Sequence, residues 1–242
     1  NHMYIRIASN DFFAVSKDVV SKMIAGELTA AQAYQAFNAK LLAEEEPADN
    51  ETVLTSGKAY SNVFHANGGS AAFSVMANTL RGVYGTDVLL ATANSFTGSV
   101  LQADYNQKMA ASMIMPNGLM SRQRTMTGAE LKETVRAFVE GCEGGFVPFN
   151  HGSLPVVSGI AVEVKEANGS YTLTGITRNG QPLGDGDTVT VTCLATEKQM
   201  EALLASDSGT SAGEDAWVKN TWRDYVSGGA ALAEPENYMT LR

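Results

Sequence analysis

Few side chains in this sequence are of the types that carry out catalysis, and their spacing does not indicate a catalytic centre. The 242 residues include two cysteines, Cys142 and Cys193, and three histidines, His2, His65 and His151. No histidine or cysteine lies in a spacing typical of metal ligands, such as H-x-x-x-H, C-x-x-C or D-x-H. Cys142 and His151 are close enough in sequence to form a thiol–imidazole pair, but no orienting carboxylate or oxyanion donor accompanies them. The sequence therefore predicts neither a metal site nor a catalytic residue in this chain.

Charged residues suggest two further kinds of site. Arg122 and Arg124 precede the helix start at Thr127, where a helix N-terminus helps to hold an anion; two solvated charges are the alternative. The acidic run 44–51 contains Pro47 and lacks the alternating geometry of a calcium loop, so it predicts a solvated linker. The net charge of −9 argues against nucleic acid or an anionic membrane as a partner. No apolar run is long enough for membrane insertion.

The elements that would position a site are best defined between Thr125 and Ala195. Thr127 and Glu130 have the spacing of a capping box, which starts a helix over roughly 130–141. Its buried face is predicted from the helical spacing of Leu131, Val135 and Phe138. Strand-like runs follow over 156–165, 171–177 and 188–195, separated by turn signals such as Asn179-Gly180.

Elements outside this stretch complete the predicted fold. We expect a helix over 71–84, a buried strand over 86–91, and a last helix over about 214–226 that ends at Gly228-Gly229. The aromatic residues of this last helix, Trp217 among them, are expected in the core. The order of helices and strands predicts an α+β domain over 52–242, with a mixed β-sheet flanked by helices.

The N-terminal part of the chain has a different pattern. Residues 10–43 predict a helical hairpin, with Gly26 ending the first helix and a capping box of Thr29 and Gln32 starting the second. The stretch GELTAAQAYQAFNAKL resembles the closing helices of sugar-type solute-binding proteins; an amphipathic hairpin packed on the main domain is the alternative. Residues 1–9 are interpreted as a cloning remnant and lead-in, so the chain is expected to be a fragment of a longer protein.

Three successive motifs resemble the C-terminal domain of the 5'-nucleotidase/UDP-sugar hydrolase family. They read MTGAELKETVRAFV, VSGIAVEV and RNGQPLGDGDTVTVTCLAT. The resemblance implies a nucleoside or nucleotide ligand and a role in nucleotide catabolism. It also implies that a divalent metal pair, the only cofactor expected, lies on a separate N-terminal phosphoesterase domain that this chain lacks.

The motifs of that family that contact ligand are altered here. Thr97 stands where the resemblance places an arginine, and Asn94 and Ser95 replace glycines in the same turn. Asn117 stands where the family has an aromatic residue, and the family's Gly-Gly-Asp-Gly loop is replaced by 197–213. The aromatic loop 144–149 either lies in the core or lines a pocket. The residues that we expect at a ligand are Asn94, Phe96, Asn117, Phe146 and Phe149.

Two functional hypotheses follow. In the first, the chain is the substrate-recognition domain of an exported 5'-nucleotidase-like phosphoesterase and is not catalytic alone. In the second, it is a degenerate binding or interaction module of a larger bacterial surface protein. Both imply an extracellular or cell-surface location, which the low lysine content also favours.

Overall fold

The structure is a computed structural model that describes residues 19, 21–29, 32, 51–115, 118–140, 155–168, 170–196, 200 and 209–242. The chain divides into two compact units, Asn1–Glu51 and Thr52–Arg242. Along the described ranges, no helix is long and apolar enough to cross a membrane.

In the first unit, the described residues contain the junction between the two predicted helices. Residues 21–24 are helical, and the chain leaves this helix through Gly26, which has φ +75°. The Thr29 N–H donates to Gln32 Oε1 at 2.9 Å, and the Gln32 N–H donates to Thr29 Oγ1 at 3.3 Å. These contacts form the predicted capping box. The rest of the predicted hairpin 10–43 lies outside the described residues.

The second unit is built from short strands and four described helices. In chain order, the elements are β1 (Thr52–Ser56), β2 (Phe64–His65), β3 (Gly69–Ser70), α1 (Ala71–Tyr84), β4 (Val88–Thr92), β5 (Ala103–Asn106), α2 (Gln107–Ala111), β6 (Leu119–Thr127), α3 (Gly128–Glu140), β7 (Pro155–Ser158), β8 (Ala161–Ala167), β9 (Ser170–Arg178), β10 (Gln181–Pro182), β11 (Thr188–Thr196), β12 (Thr210–Ser211), β13 (Ala216–Trp217), α4 (Val218–Ser227) and β14 (Met239–Leu241).

Two sheets form the centre of this unit. The larger has the order β12-β6-β11-β4-β7, and β13 also pairs with β6. In it β11 and β4 are parallel, whereas β6 and β7 run antiparallel to their neighbours. The smaller has the order β10-β9-β8-β14, with β14 parallel to β8. Helix α1 packs on β4 and β7, and α3 packs on β9. The unit is therefore α+β with mixed sheets and flanking helices, as the sequence predicts.

Helix α3 begins with the predicted capping box. The Thr127 N–H donates to Glu130 Oε2 at 2.7 Å, and the Glu130 N–H donates to Thr127 Oγ1 at 3.2 Å. Gly128 is required because a Cβ there would lie 1.9 Å from the Gly184 carbonyl oxygen. The predicted apolar face is buried, as Leu131, Val135 and Phe138 are each at most 5% exposed.

Two sequence predictions need correction, and one strand was not predicted. The run 156–165 is two strands in different sheets, because the chain turns at Gly159, which has φ +82°. Arg122 and Arg124 lie within β6, a strand that the polar sequence does not predict but that pairs with β11 along its whole length. The last helix begins at Val218 rather than near 214, because residues 216–217 pair with β6.

Candidate ligand-binding site

The candidate site lies at the carboxyl ends of β4 and β11. These two strands are parallel neighbours, so both end at the same edge of the larger sheet. Antiparallel β6 begins at this edge, since Leu119 pairs with Thr196 at the end of β11. In open α/β sheets, ligands bind in the crevice outside the carboxyl ends of the parallel strands, and this mixed sheet contains one such parallel pair. The edge is therefore the first place to look for a ligand.

A short, well-fixed turn follows β4 at this edge. Residues Ala93–Ser95 form one turn of 3₁₀ helix, which the Phe96 N–H closes by donating to the Ala93 carbonyl at 3.2 Å. The segment just before β6 supports this turn. The Thr97 N–H donates to the Met113 carbonyl at 3.0 Å, and the Met115 N–H donates to the Ser95 carbonyl at 3.0 Å. The backbone of the turn is thus held from both sides.

The two residues of this turn that the sequence predicts at a ligand have different environments in the structure. Asn94 is exposed, so its amide is available to a ligand. Phe96 is 5% exposed and its ring stacks on that of Phe73, with centroids 6.0 Å apart and planes at 29°. Phe96 therefore supports the turn from the core. The other predicted residues, Asn117, Phe146 and Phe149, lie outside the described part of the chain.

A buried hydroxyl group in the same turn has no hydrogen-bond partner among the described residues. Ser95 Oγ is buried and makes no hydrogen bond to any described residue. Buried polar groups are nearly always hydrogen-bonded to protein, water or ligand. The unpaired hydroxyl is consistent with a bound water or ligand at this turn.

Trp217 is expected in the core from its place in the predicted last helix. In the structure it is 50% exposed. Trp217 pairs with Met120, and Met120 pairs with Ala195. Since Cys193 pairs with Leu90 in parallel register, Ala195 lies beside Thr92. Trp217 and Thr92 therefore belong to one cross-strand row and one face, about 14 Å apart at the usual strand spacing.

An Arg–Asp pair lies next to this row. Arg122 donates from Nε to both carboxylate oxygens of Asp215, at 3.1 and 3.0 Å, and from Nη2 to Oδ2 at 2.5 Å. The hydrogen bond from Arg122 lowers the pKa of Asp215, although burial opposes this shift. Arg122 is thus engaged by a carboxylate, and a ligand anion would have to displace Asp215 from it.

Those residues considered for nucleophilic or metal chemistry that the structure describes are not brought together. Cys193 is a free, fully buried thiol whose pKa burial raises to about 12, so it is inert. His65 is exposed on β2, and Cys142 and His151 lie outside the described ranges. Among the described residues, no cluster of three or more His, Cys, Asp or Glu side chains is placed to hold a metal ion. The part of the chain that is described does not fit a divalent metal pair.

Comparison with known proteins identifies solved structures that have a similar architecture. The chain matches no protein-family profile and no curated protein. A 5'-nucleotidase precursor from Thermus thermophilus matches with a TM-score of 0.60 and 14% identity, over 88% of this chain and 43% of that chain. A sulfate thiohydrolase from Thermus thermophilus matches with a TM-score of 0.63 and 14% identity, over 90% and 40%. A NAD nucleotidase from Haemophilus influenzae matches with a TM-score of 0.55 and 17% identity, over 88% and 42%.

These matches define the fold. The chain has the architecture of one part of 5'-nucleotidase-type proteins and spans less than half the length of each matched structure. The resemblance predicted from the three sequence motifs is therefore confirmed at the level of fold, and it is consistent with a C-terminal domain of that kind.

Proposed function

We propose that this chain is the non-catalytic substrate-recognition domain of a longer 5'-nucleotidase-like phosphoesterase. It binds a nucleoside-type ligand at the carboxyl end of β4. The observation that carries this proposal is the fixed turn after β4, which presents the exposed Asn94 at the edge where such a sheet binds ligands. The buried hydroxyl of Ser95, for which the described part of the chain offers no hydrogen-bond partner, supports it.

The chemistry of this edge suits an uncharged ligand better than a phosphate. No arginine occurs between Thr92 and Met115, and Arg122 is held by Asp215. The segment after β4 therefore supplies no arginine of its own, and a phosphate at Arg122 would have to compete with Asp215. The amide of Asn94 both donates and accepts hydrogen bonds, and the exposed ring of Trp217 offers a stacking surface. These groups match a nucleobase and ribose.

The metal-dependent step is assigned to a part of the polypeptide outside this chain. Of the thiol and imidazole groups that could take part in catalysis, Cys193 is buried and His65 is exposed on β2. Cys142 and His151 lie outside the described ranges. The polypeptide is proposed to be exported to the bacterial cell surface or beyond, which agrees with the precursor form of the similar 5'-nucleotidase from Thermus thermophilus.

The altered turn favours a second candidate function. The turn has Thr97 in place of an arginine, and its Phe96 is buried against Phe73. A domain that kept the fold and lost the ligand contacts would serve as a binding or interaction module for other protein segments.

A thermal-shift panel of nucleosides, nucleotides, UDP-sugars and simple sugars separates the two candidates. A ligand that binds only the folded state, at about a hundred times its Kd, adds about 2.7 kcal/mol of stability. We expect a nucleoside to raise the melting temperature, and Asn94→Ala and Trp217→Ala to abolish the shift. Gln181→Ala, an exposed change on the other sheet, is the matched control. If no ligand shifts the melting temperature at millimolar concentration, the interaction module is the better account.

A further inference from the structure

A cavity lies at the opposite end of β4 from the candidate site. Its volume is about 450 Å³, within the usual range for sites that bind small molecules. It forms where the chain passes from the larger sheet to the smaller one. Four segments line it: the end of α1 at Arg81 and Gly85–Asp87, the β7–β8 link at Gly159–Ala161, the β9–β10 turn at Thr177–Gly180, and Glu236 with Asn237.

The walls of this cavity are built from tight backbone turns. Gly159 has φ +82°, and a Cβ there would lie 2.0 Å from the Asp87 carbonyl oxygen. Asn179 and Gly180 have φ values of 52° and 74°, the pattern of a two-residue hairpin turn. These turns fix the backbone of two of the cavity's lining segments.

One wall carries a fully hydrogen-bonded carboxylate. Asp87 Oδ2 accepts from the Thr190 N–H at 2.8 Å and from Thr190 Oγ1 at 2.9 Å, and Oδ1 accepts from Arg178 Nη2 at 2.5 Å. Burial works to raise the pKa of Asp87, but the hydrogen bonds from Thr190 and the attraction of Arg178 and Arg81 lower it on balance. Asp87 is therefore charged, and its role is to hold Arg178 in place.

The other charged groups of the cavity are less completely paired. Arg81 donates from Nε to Ser158 Oγ at 2.7 Å, and its Nη2 lies 3.7 Å from Glu236 Oε1, too far for a hydrogen bond. The side chains of Arg81 and Arg178 are 29% and 30% exposed, and that of Glu236 is 53% exposed. Each guanidinium has five N–H donors, so both retain donors beyond these contacts. The cavity thus offers guanidinium donors and one carboxylate acceptor.

We propose that this cavity binds a small zwitterion, a free α-amino acid, with its carboxylate at Arg81 and Arg178 and its ammonium at Glu236. The cavity contains two guanidinium groups and two carboxylates, so its formal charge is balanced. A dianion would face the charges of Asp87 and Glu236 as well as those of the arginines. A simple cation would face both arginines. A zwitterion pairs each of its charges with an opposite one, and guanidinium is well suited to bind carboxylate.

This site is independent of the proposed nucleoside site. The two lie at opposite ends of β4, and none of the residues of the turn after β4 lines the cavity. Loss of one binding activity is therefore expected to leave the other unchanged.

Calorimetric titration of the chain with common α-amino acids tests the proposal. Each amino acid is compared with its N-acetyl derivative, which lacks the ammonium, and with its methyl ester, which lacks the carboxylate. We expect at least one free amino acid to bind, and both derivatives to bind about tenfold or more weakly, as is typical when one partner of a charged contact is removed. Glu236→Gln is expected to cause a similar loss, while Glu166→Gln, an exposed change on β8, leaves binding unchanged.

Three results would overturn the proposal. They are no binding of any free amino acid at millimolar concentration, equal binding of the N-acetyl derivative, and unchanged binding by Glu236→Gln. Because Glu236 is exposed, this variant is expected to keep the melting temperature of the unliganded protein, and a loss of binding then reports on the contact. Nucleoside binding measured on the same samples shows separately whether the site at the carboxyl end of β4 is intact.

Discussion

The attachment of α4 to α2 depends on Trp222, and its replacement by phenylalanine tests that dependence. The indole is fully buried, and its Nε1–H donates to the Ala110 carbonyl oxygen at 2.8 Å. Trp217, five residues earlier, is 50% exposed. The chain contains only these two tryptophans, so each serves as the control for the other.

The expected cost of Trp222→Phe has two parts. The Ala110 oxygen also accepts from the Met113 N–H at 3.1 Å, so it keeps one donor and the lost hydrogen bond is worth about 0.5–1.5 kcal/mol. The smaller ring leaves a void, and since full Trp→Ala truncation costs about 3–5 kcal/mol, this partial truncation costs on the order of 1–2 kcal/mol. The free energy of unfolding should therefore fall by about 1.5–3.5 kcal/mol. Trp217→Phe should change it by no more than about 0.5 kcal/mol.

Urea unfolding followed by circular dichroism measures both variants on the same scale. For a domain of this size, each kcal/mol also lowers the melting temperature by about 2–4 °C. In Trp217→Phe the remaining fluorescence comes from the buried Trp222 and should stay blue-shifted, whereas Trp222→Phe should leave the emission of a half-exposed indole. Equal stabilities of the two variants would refute the packing described for α4.

Three further changes test other parts of the structure. Thr127→Ala removes the cap of α3 and should cost about 1 kcal/mol in urea unfolding, while Thr127→Ser should retain most of the stability. Gly159→Ala places a Cβ against the Asp87 carbonyl and should destabilise more than Gly85→Ala, which also has positive φ but open space and should cost about 1–2 kcal/mol; equal losses would contradict the close approach at Gly159. Because the folded-state pKa of Asp87 is lowered, its contribution to stability is present above its unfolded pKa of about 3.9 and is lost as the pH falls through the folded value. The difference in melting temperature between wild type and Asp87→Asn should therefore shrink as the pH falls below about 4, and a difference that stays constant with pH would contradict this.

Local signals predicted two of the four described helices well, α1 and α3, whereas α2 was not predicted and α4 begins later than expected. Helix α1 occupies 71–84 as its apolar periodicity indicates, and α3 begins with the capping box of Thr127 and Glu130. Both signals depend on residues within four positions of each other, so they can be recognised without knowing the tertiary structure. The elements that the sequence did not predict depend on partners far away in the chain. β6 has the polar sequence LMSRQRTMT, and its strand conformation comes from pairing with β11 some seventy residues later.

The sequence indicated where the candidate site lies, but it indicated less well which residues are exposed there. The motif resemblance pointed to the turn after β4, and the structure has a 3₁₀ turn there, which the sequence did not predict. The sequence did not show that Phe96 lies under the turn, because a single aromatic residue between polar ones carries no periodicity. Trp217 was missed for a related reason: its exposure follows from the pairing of β13 with β6, which replaces the first turn of the predicted last helix.

The central claim is that the domain recognises the nucleoside portion of its ligand without a dedicated phosphate contact. Calorimetric titration with one nucleoside and its 5'-monophosphate tests this most directly. The account predicts that the two bind with affinities within a few-fold of each other and that Asn94→Ala weakens both, since no arginine lies between Thr92 and Met115. A monophosphate that binds tenfold or more tightly than the nucleoside, or the absence of binding by both, would contradict it.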